Sequence, residues 1–234
     1  MFSYRQHVID QNLAFIQKEN ANNHTYTLGI TQFIFMTHQE FVEAVELKGY
    51  RIDDKSSVRS SLHPACSNDQ SVLQSIDWRK KKIFSPIQNQ GTCGSCYAIA
   101  TAELTNALYG ITGTKLSGLS AQQLVDCSQS YGNSGCNGGT TSASMRYIKD
   151  VGLVTEQAYP YVGKLQPCKN AINQRYTVGN FSKYSAISES AIQSFVEKSP
   201  VVAAIYSTWP PLQVCTCSCK TGREMQQVSS IALS

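Results

Sequence analysis

The chain has 234 residues, of which 41% are hydrophobic and 15% charged, with a net charge of +4. That length holds one large domain or two small ones, and the composition is that of a chain that mostly folds. The charge is too mild to imply a nucleic-acid partner, and the densest basic run, Lys80-Lys81-Lys82, reads as a solvated surface turn rather than a phosphate or membrane patch. No run of about 18 uncharged apolar residues predicts a membrane-spanning helix, so no membrane partner is expected. Met1 to Asp10 is polar and charged throughout and does not read as a signal peptide.

In chain order, residues 1–20 predict a helix, with Phe2, Ile9, Leu13 and Ile16 on one face. Thr25 to Ile34 predicts a short strand, and Gln39 to Leu47 a second helix stopped by Gly49. Residues 51–75 are polar, with Ser pairs and Pro64, and read as an extended linker. A globular domain begins at Ile76-Asp77-Trp78. Its first helix should run from Ser95 to about Gly110, burying Ala100, Leu104, Ala107, Leu108 and Ile111. Ser120 with Gln123 reads as a capping box opening a helix through Val125. Residues 129–139 form a Gly-, Ser- and Asn-rich loop, followed by a helix from Thr141 to Lys149, a strand at 176–181, a helix at 188–197 and a buried strand at 201–206. After Trp209-Pro210-Pro211 the chain reads as a tail without a clear period, and no internal repeat is visible.

The chemistry concentrates around residues 90–97, Gln-Gly-Thr-Cys-Gly-Ser-Cys-Tyr. Cys96 at the start of a helix is a candidate nucleophile, because the thiolate is the reactive form and helix N-terminal N–H groups and the macrodipole favour it. Such a nucleophile also needs a base, usually histidine, and a group to orient that base. All four histidines, His7, His24, His38 and His63, precede Cys96. Cys93 and Cys96 form a C-x-x-C. A thioredoxin-like reading lacks its βαβ context, and a zinc reading needs a second pair, which the Cys215-Thr216-Cys217-Ser218-Cys219 tract could offer. Nine cysteines favour an oxidising compartment, and two sequons, Asn23-His24-Thr25 and Asn180-Phe181-Ser182, fit it.

Several blocks in order resemble the papain-like cysteine peptidases, and within them the cathepsin L-like branch with its inhibitory prosegment. They are Ile76-Asp77-Trp78-Arg79, Gln90 through Tyr97, Leu119 through Cys127, Gly135-Cys136-Asn137-Gly138-Gly139 and Ala158-Tyr159-Pro160-Tyr161. Before them, Arg5, Ile9, Asn12, Ile16 and Asn20 follow the spacing of the family's prosegment helix. Gly29 and Phe33 fit a second prosegment motif, in which Thr31 and Phe35 replace an Asn and an Asp. The resemblance covers residues 1 to about 206. The place of the prosegment helix's usual first glutamate is Met1, so the chain is expected to begin inside that helix and to be cut short at both ends.

The resemblance implies an α+β, two-lobed papain-like fold with a complete helical lobe and an incomplete β-barrel lobe, preceded by a helical prosegment. The implied division is an inhibitory prosegment over 1–50, a linker and cleavage region over 51–75, a peptidase domain over 76–208 and a tail over 209–234 outside the family. That tail is read as downstream sequence brought in by a retained intron, a frameshift or a mis-assigned exon. Open strand edges at 176–181 and 201–206 are expected as a consequence.

By the same resemblance Cys96 is the nucleophile of a cysteine endopeptidase precursor and Gln90 an oxyanion-hole donor. Asn137, Gly138 and Gly139 line the cleft, while Thr140, Thr141 and Ala204 shape the specificity pocket. Cys93 pairs with Cys136 and Cys127 with Cys168, leaving Cys96 free and Cys66, Cys215, Cys217 and Cys219 without family partners. The family's catalytic histidine and asparagine contexts do not occur here, so the chain as written is expected to be inactive; the alternatives are a pseudoprotease or a prosegment-type protease inhibitor. No cofactor and no metal is expected. The expected partners are a peptide or protein substrate and the chain's own prosegment or related proteases, in a monomer located in the lysosome or outside the cell.

Overall fold

The computed structural model describes residues 2–22, 24, 26–45, 76–169, 174–184, 189–204, 209–217 and 230–233. The linker at 51–75, with His63 and Cys66, lies outside these residues, as do Asn23, Cys219 and the end of the strand expected at 201–206. The chain divides into two compact units, one of residues 1–46 and 205–227, the other of residues 47–204 and 228–234.

In the first unit, helix α1 (Phe2–Asn20) contains neither Gly nor Pro. Its buried residues are Val8 and Ile16; Ile9 and Leu13 of the expected face are only half-buried. The face that packs is mixed. Arg5 places both guanidinium nitrogens on the Glu40 carboxylate at 2.7 and 2.9 Å, Asn12 donates to the carbonyls of Ile34 and Met36 at 2.7 and 2.9 Å, and Asn20 exchanges two 2.8 Å hydrogen bonds with the Leu28 backbone. These residues recur three to four apart, so they share one side of the helix with Val8 and Ile16.

The strand expected at 25–34 is short for the same reason. Strand β1 covers only Thr27–Leu28, because the carbonyls of residues 33–36 are taken up by side chains rather than by a ladder. Helix α2 (His38–Val45) then buries Phe41, whose ring meets Phe33 edge-on.

Part of the tail that reads as unpatterned forms regular elements. Helix α7 (Pro210–Gln213) and strand β4 (Cys215–Cys217), numbered in chain order, pack in the first unit. Strand β4 pairs antiparallel with β1, and Val214 completes a small core with Ile16 and Leu28. Buried Gln213 donates to the carbonyls of Phe33 and Met36 and accepts from the Thr31 hydroxyl at 2.7 Å.

The second unit starts at a 3₁₀ turn, Trp78–Lys81, capped by Asp77. The Trp78 indole N–H donates to the Val196 carbonyl at 2.6 Å, tying this entry to α6 (Glu189–Lys198). Helix α3 (Cys96–Ile111) packs against α4 (Ala121–Cys127) and α5 (Thr141–Asp150). Its buried face differs from the expected one. Leu104 and Ala107 are buried, but Ala100 and Leu108 are half-buried and Ile111 is exposed. Tyr97, Ala98, Thr101, Ala102 and Thr105 take their place. The two threonines can be buried because each returns its hydroxyl to the carbonyl four residues back.

Helix α4 is capped by Ser120, whose Oγ accepts the Gln123 N–H at 3.0 Å, but the box is not reciprocal. The Gln123 amide instead donates to the Tyr147 hydroxyl and the Gly152 carbonyl and accepts from the Val154 N–H.

The strand expected at 176–181 is displaced. Tyr176 makes only an isolated bridge with Leu153, and strand β2 is Phe181–Tyr184. The sheet order is β2-β5-β3, with β5 (Ser230–Leu233) antiparallel to both β2 and β3 (Val202–Ala203). The facing edges of β2 and β3, expected open, are therefore closed by a strand from the tail.

Candidate active site

Cys96 is the first residue of α3 and, among the described cysteines, the free one. The segment before it is held from three directions. Cys93 is buried and bonded to Cys136, with Cα atoms 4.5 Å apart, and the Gly94 N–H donates to the Cys136 carbonyl at 2.9 Å. The Tyr161 hydroxyl donates to the Gln90 carbonyl at 2.9 Å and shares a short hydrogen bond with the Ser95 hydroxyl. Ser95 makes no side-chain cap to α3; its hydroxyl serves Tyr161 and the Cys93 carbonyl instead. Gln90 is half-buried, and its backbone is the anchored part.

Cys96 keeps an open surface, yet the protein around it removes enough solvent to push its thiol above the ordinary value. The Tyr97 N–H pulls the other way and is the smaller effect. Burial thus opposes the thiolate preference that the helix start lends, because desolvation penalises the charged form.

The glycines at 138 and 139 have separate structural reasons. Gly138 has φ +108° and ψ 177°, a region open to glycine alone. At Gly139 a side chain would collide with Asn133 Oδ1 at 2.4 Å and Tyr97 Cε2 at 2.7 Å. Gly138 and Gly139 are both buried. Asn137 is exposed. Thr140 caps α5, its hydroxyl accepting the Ala143 N–H at 3.1 Å, and Thr141 is that helix's first residue. Ala204 follows β3, a strand that lies against α3.

Residues that the sequence did not single out hold these parts together. Buried Asn133 accepts the Thr140 N–H and donates to the hydroxyls of Ser128 and Ser144. Asp126 accepts from the Tyr159 hydroxyl, the Gln166 N–H and the Gln122 amide; Gln122 also bonds Lys164 and Val162. This network carries the second disulfide, Cys127–Cys168, with Cα atoms 4.9 Å apart. Of the cysteines expected to lack a partner, Cys215 is disulfide-bonded. No group of three or more metal-ligating side chains occurs among the described residues.

His7, His24 and His38 lie in the first unit, where His24 stacks on Tyr26 and reaches Glu19 at 3.3 Å. Two hollows of about 380 and 260 Å³ open on the second unit, at Thr155–Tyr176 and Ser85–Glu156. Neither is lined by Cys96, Gln90 or residues 137–141.

The chain belongs to the papain family of cysteine proteases, whose family profile matches residues 72–227, and the cathepsin propeptide inhibitor domain matches residues 2–41. The match therefore runs into the segment expected to lie outside the family. The chain is 33% identical over 202 residues to the senescence-specific cysteine protease SAG39 of Oryza sativa subsp. indica, covering 86% of this chain and 59% of that protein. To procathepsin L of Rattus norvegicus it is 34% identical over 218 residues, covering 90% and 63%. The chain thus spans about three fifths of the length of these curated relatives. The crystal structure of the ragweed pollen cysteine protease Amb a 11 in its proform matches with TM-score 0.77 and 27% identity, covering 97% of this chain and 72% of that one.

Proposed function

We propose that the chain is the precursor of a cysteine endopeptidase of the cathepsin L-like branch, in which Cys96 attacks the peptide carbonyl. The observation that carries this reading is a free cysteine at the first position of α3, next to the Cys93–Cys136 bond. Gln90 and the Cys96 N–H are proposed to bind the developing oxyanion, a role worth about 3–4 kcal/mol where such a donor is preorganised. Asn137, Gly138 and Gly139 are proposed to border the substrate's backbone, and Thr140, Thr141 and Ala204 to shape a specificity pocket. Residues 1–50 act as the inhibitory prosegment, 51–75 as the cleavage region and 76–208 as the peptidase domain. The substrate is a peptide or protein, and the site of action lysosomal or extracellular.

In this 234-residue chain no histidine follows Cys96. Neither Cys96 nor Gln90 can take the thiol proton or deliver one to the leaving amine. The chain on its own is therefore proposed not to turn over peptides at a papain-like rate. The test is a fluorogenic dipeptide assay with epoxide titration of the refolded chain. Absence of turnover is expected; turnover abolished by Cys96→Ala overturns this part of the reading.

A second reading, a prosegment-type inhibitor or pseudoprotease, is favoured by the compact first unit, whose Arg5–Glu40 and Asn12 contacts are internal to it. Inhibition of a complete family member by the chain, retained in Cys96→Ala, supports it; no inhibition removes it.

A further inference from the structure

We infer that Tyr161 is a positioning residue for the nucleophile: its hydroxyl closes the segment from Gln90 to Ser95 and so sets how Gln90 and Cys96 are held. The inference rests on the proposed reading of Cys96 as the attacking group and Gln90 as an oxyanion donor. The block Ala158-Tyr159-Pro160-Tyr161 has no part of its own in that reading. Its last hydroxyl nevertheless joins the two ends of the nucleophile segment. It donates to the Gln90 carbonyl at 2.9 Å and shares the short hydrogen bond with the Ser95 hydroxyl. A phenol has one proton to give, so with that proton on Gln90 it is Ser95 that donates to the phenol oxygen.

The alternatives at both ends are poor. The Gln90 carbonyl also meets the Cys93 N–H at 3.4 Å, and the Ser95 hydroxyl the Cys93 carbonyl at 3.4 Å, both longer than a good hydrogen bond. Ser95 is fully buried. Tyr161 is itself fixed. Its N–H donates to Glu156 Oε1 at 2.7 Å, and the neighbouring Val162 N–H donates to Oε1 of Gln122, a buried residue of α4, at 2.9 Å. The polar network of α4 thus reaches the residue before Cys96 through one phenol. Without that hydroxyl, the Gln90 carbonyl and the Ser95 hydroxyl lack a partner, and water takes its place. Water beside Cys96 relieves the burial that opposes its thiolate. The other influence on that thiol is the Tyr97 N–H, and the nearby phenols of Tyr97 and Tyr161 are pushed up by burial.

The test is alkylation of Cys96 by iodoacetamide as a function of pH, with urea unfolding alongside, on the full chain. Tyr161→Phe keeps the ring and removes the hydroxyl. It is expected to move the alkylation midpoint down toward that of a free cysteine, about 8.5, and to raise the rate at neutral pH several-fold. Ser95→Ala removes the same hydrogen bond from its other end, should do the same, and carries the comparison if Tyr161→Phe does not fold. The double variant should go no further than either alone, since one bond joins the pair. Gln123→Leu weakens α4 away from Cys96 and should lower the urea midpoint without moving the alkylation profile. A Tyr161→Phe profile equal to the native one or displaced upward overturns the inference, as does an equal displacement in Gln123→Leu. Alkylation reads the thiol and not turnover, so this result and the result of the peptide assay are independent.

Discussion

At Cys96 two effects of known sign compete, and burial, which raises the thiol's pKa, outweighs the hydrogen bond from the Tyr97 N–H. The consequence is a measurable shift in reactivity. A free cysteine titrates near pH 8.5, and the alkylation of Cys96 by iodoacetamide should have its midpoint above that. A Cys96→Ser control isolates the signal, and a midpoint below that of a free thiol would mean that the helix terminus dominates.

Glu40 shows the opposite case. Hydrogen bonds from the Arg5 guanidinium, followed by the Thr37 N–H, hold its carboxyl down at about 2. A carboxylate whose folded pKa is depressed adds stability above its unfolded pKa, and that stability is lost as pH falls through the folded value. The first unit should therefore weaken between about pH 4.5 and pH 2, the range between the ordinary and the shifted value. Thermal midpoints measured across that range should fall less steeply for Glu40→Gln than for the native chain; parallel curves would show that the pair does not matter in solution. The pair is exposed enough that its contribution at neutral pH is modest and screened by salt.

At the scale of elements, α4 is fastened by its polar side chains. Gln122, Gln123 and Asp126 are all buried, and each has its hydrogen-bonding atoms engaged with segments outside the helix. Replacing Gln123 by Leu would leave the Val154 N–H and the Tyr147 hydroxyl without their partner, at a cost of about 3 kcal/mol. Urea unfolding should report this as a lower midpoint with an unchanged slope. Gly139→Ala is a steric counterpart. Its methyl would overlap Asn133 and Tyr97, and overpacking of this kind costs about 1–3 kcal/mol. The same measurement would register it, and a neutral outcome would mean that the 134–139 loop yields without strain.

At the scale of the molecule, the second unit depends on covalent ties. The two disulfides join residues 43 and 41 positions apart; each is worth about 4 kcal/mol by the chain-entropy argument. Both bonds fasten loops onto the helical core, Cys93–Cys136 beside Cys96 and Cys127–Cys168 beside the Asp126 network. Reduction should lower the denaturant midpoint of this unit substantially and loosen the segment before Cys96. Limited proteolysis with and without reductant, mapped to residues 129–139 and 159–169, is the direct measurement; identical maps would show that the hydrogen bonds alone suffice.

Helices are periodic and local, so α1, α3, α5 and α6 could be placed from the chain alone, within a few residues. The block around Cys96 was equally legible, because a short run of residue types opens a helix there. What the sequence left hidden depends on distant partners. Val8 joins Ile16 on the buried side of α1 because the Asn and Arg residues on that side bond to the 33–40 segment. The tail has no period, yet Gln213 finds two backbone carbonyls and the Thr31 hydroxyl, and β5 finds two strands, since hydrogen bonding needs a matching partner and not a matching pattern. Asn133, Asp126 and Tyr161 give no sign in one dimension of what they join. The sequence by itself determined where the longer helices lie and that Cys96 opens one of them. Only the tertiary structure decided the burial around that thiol, the steric need for Gly139 and the partners of each strand, because desolvation, steric overlap and pairing all depend on atoms brought close from far along the chain.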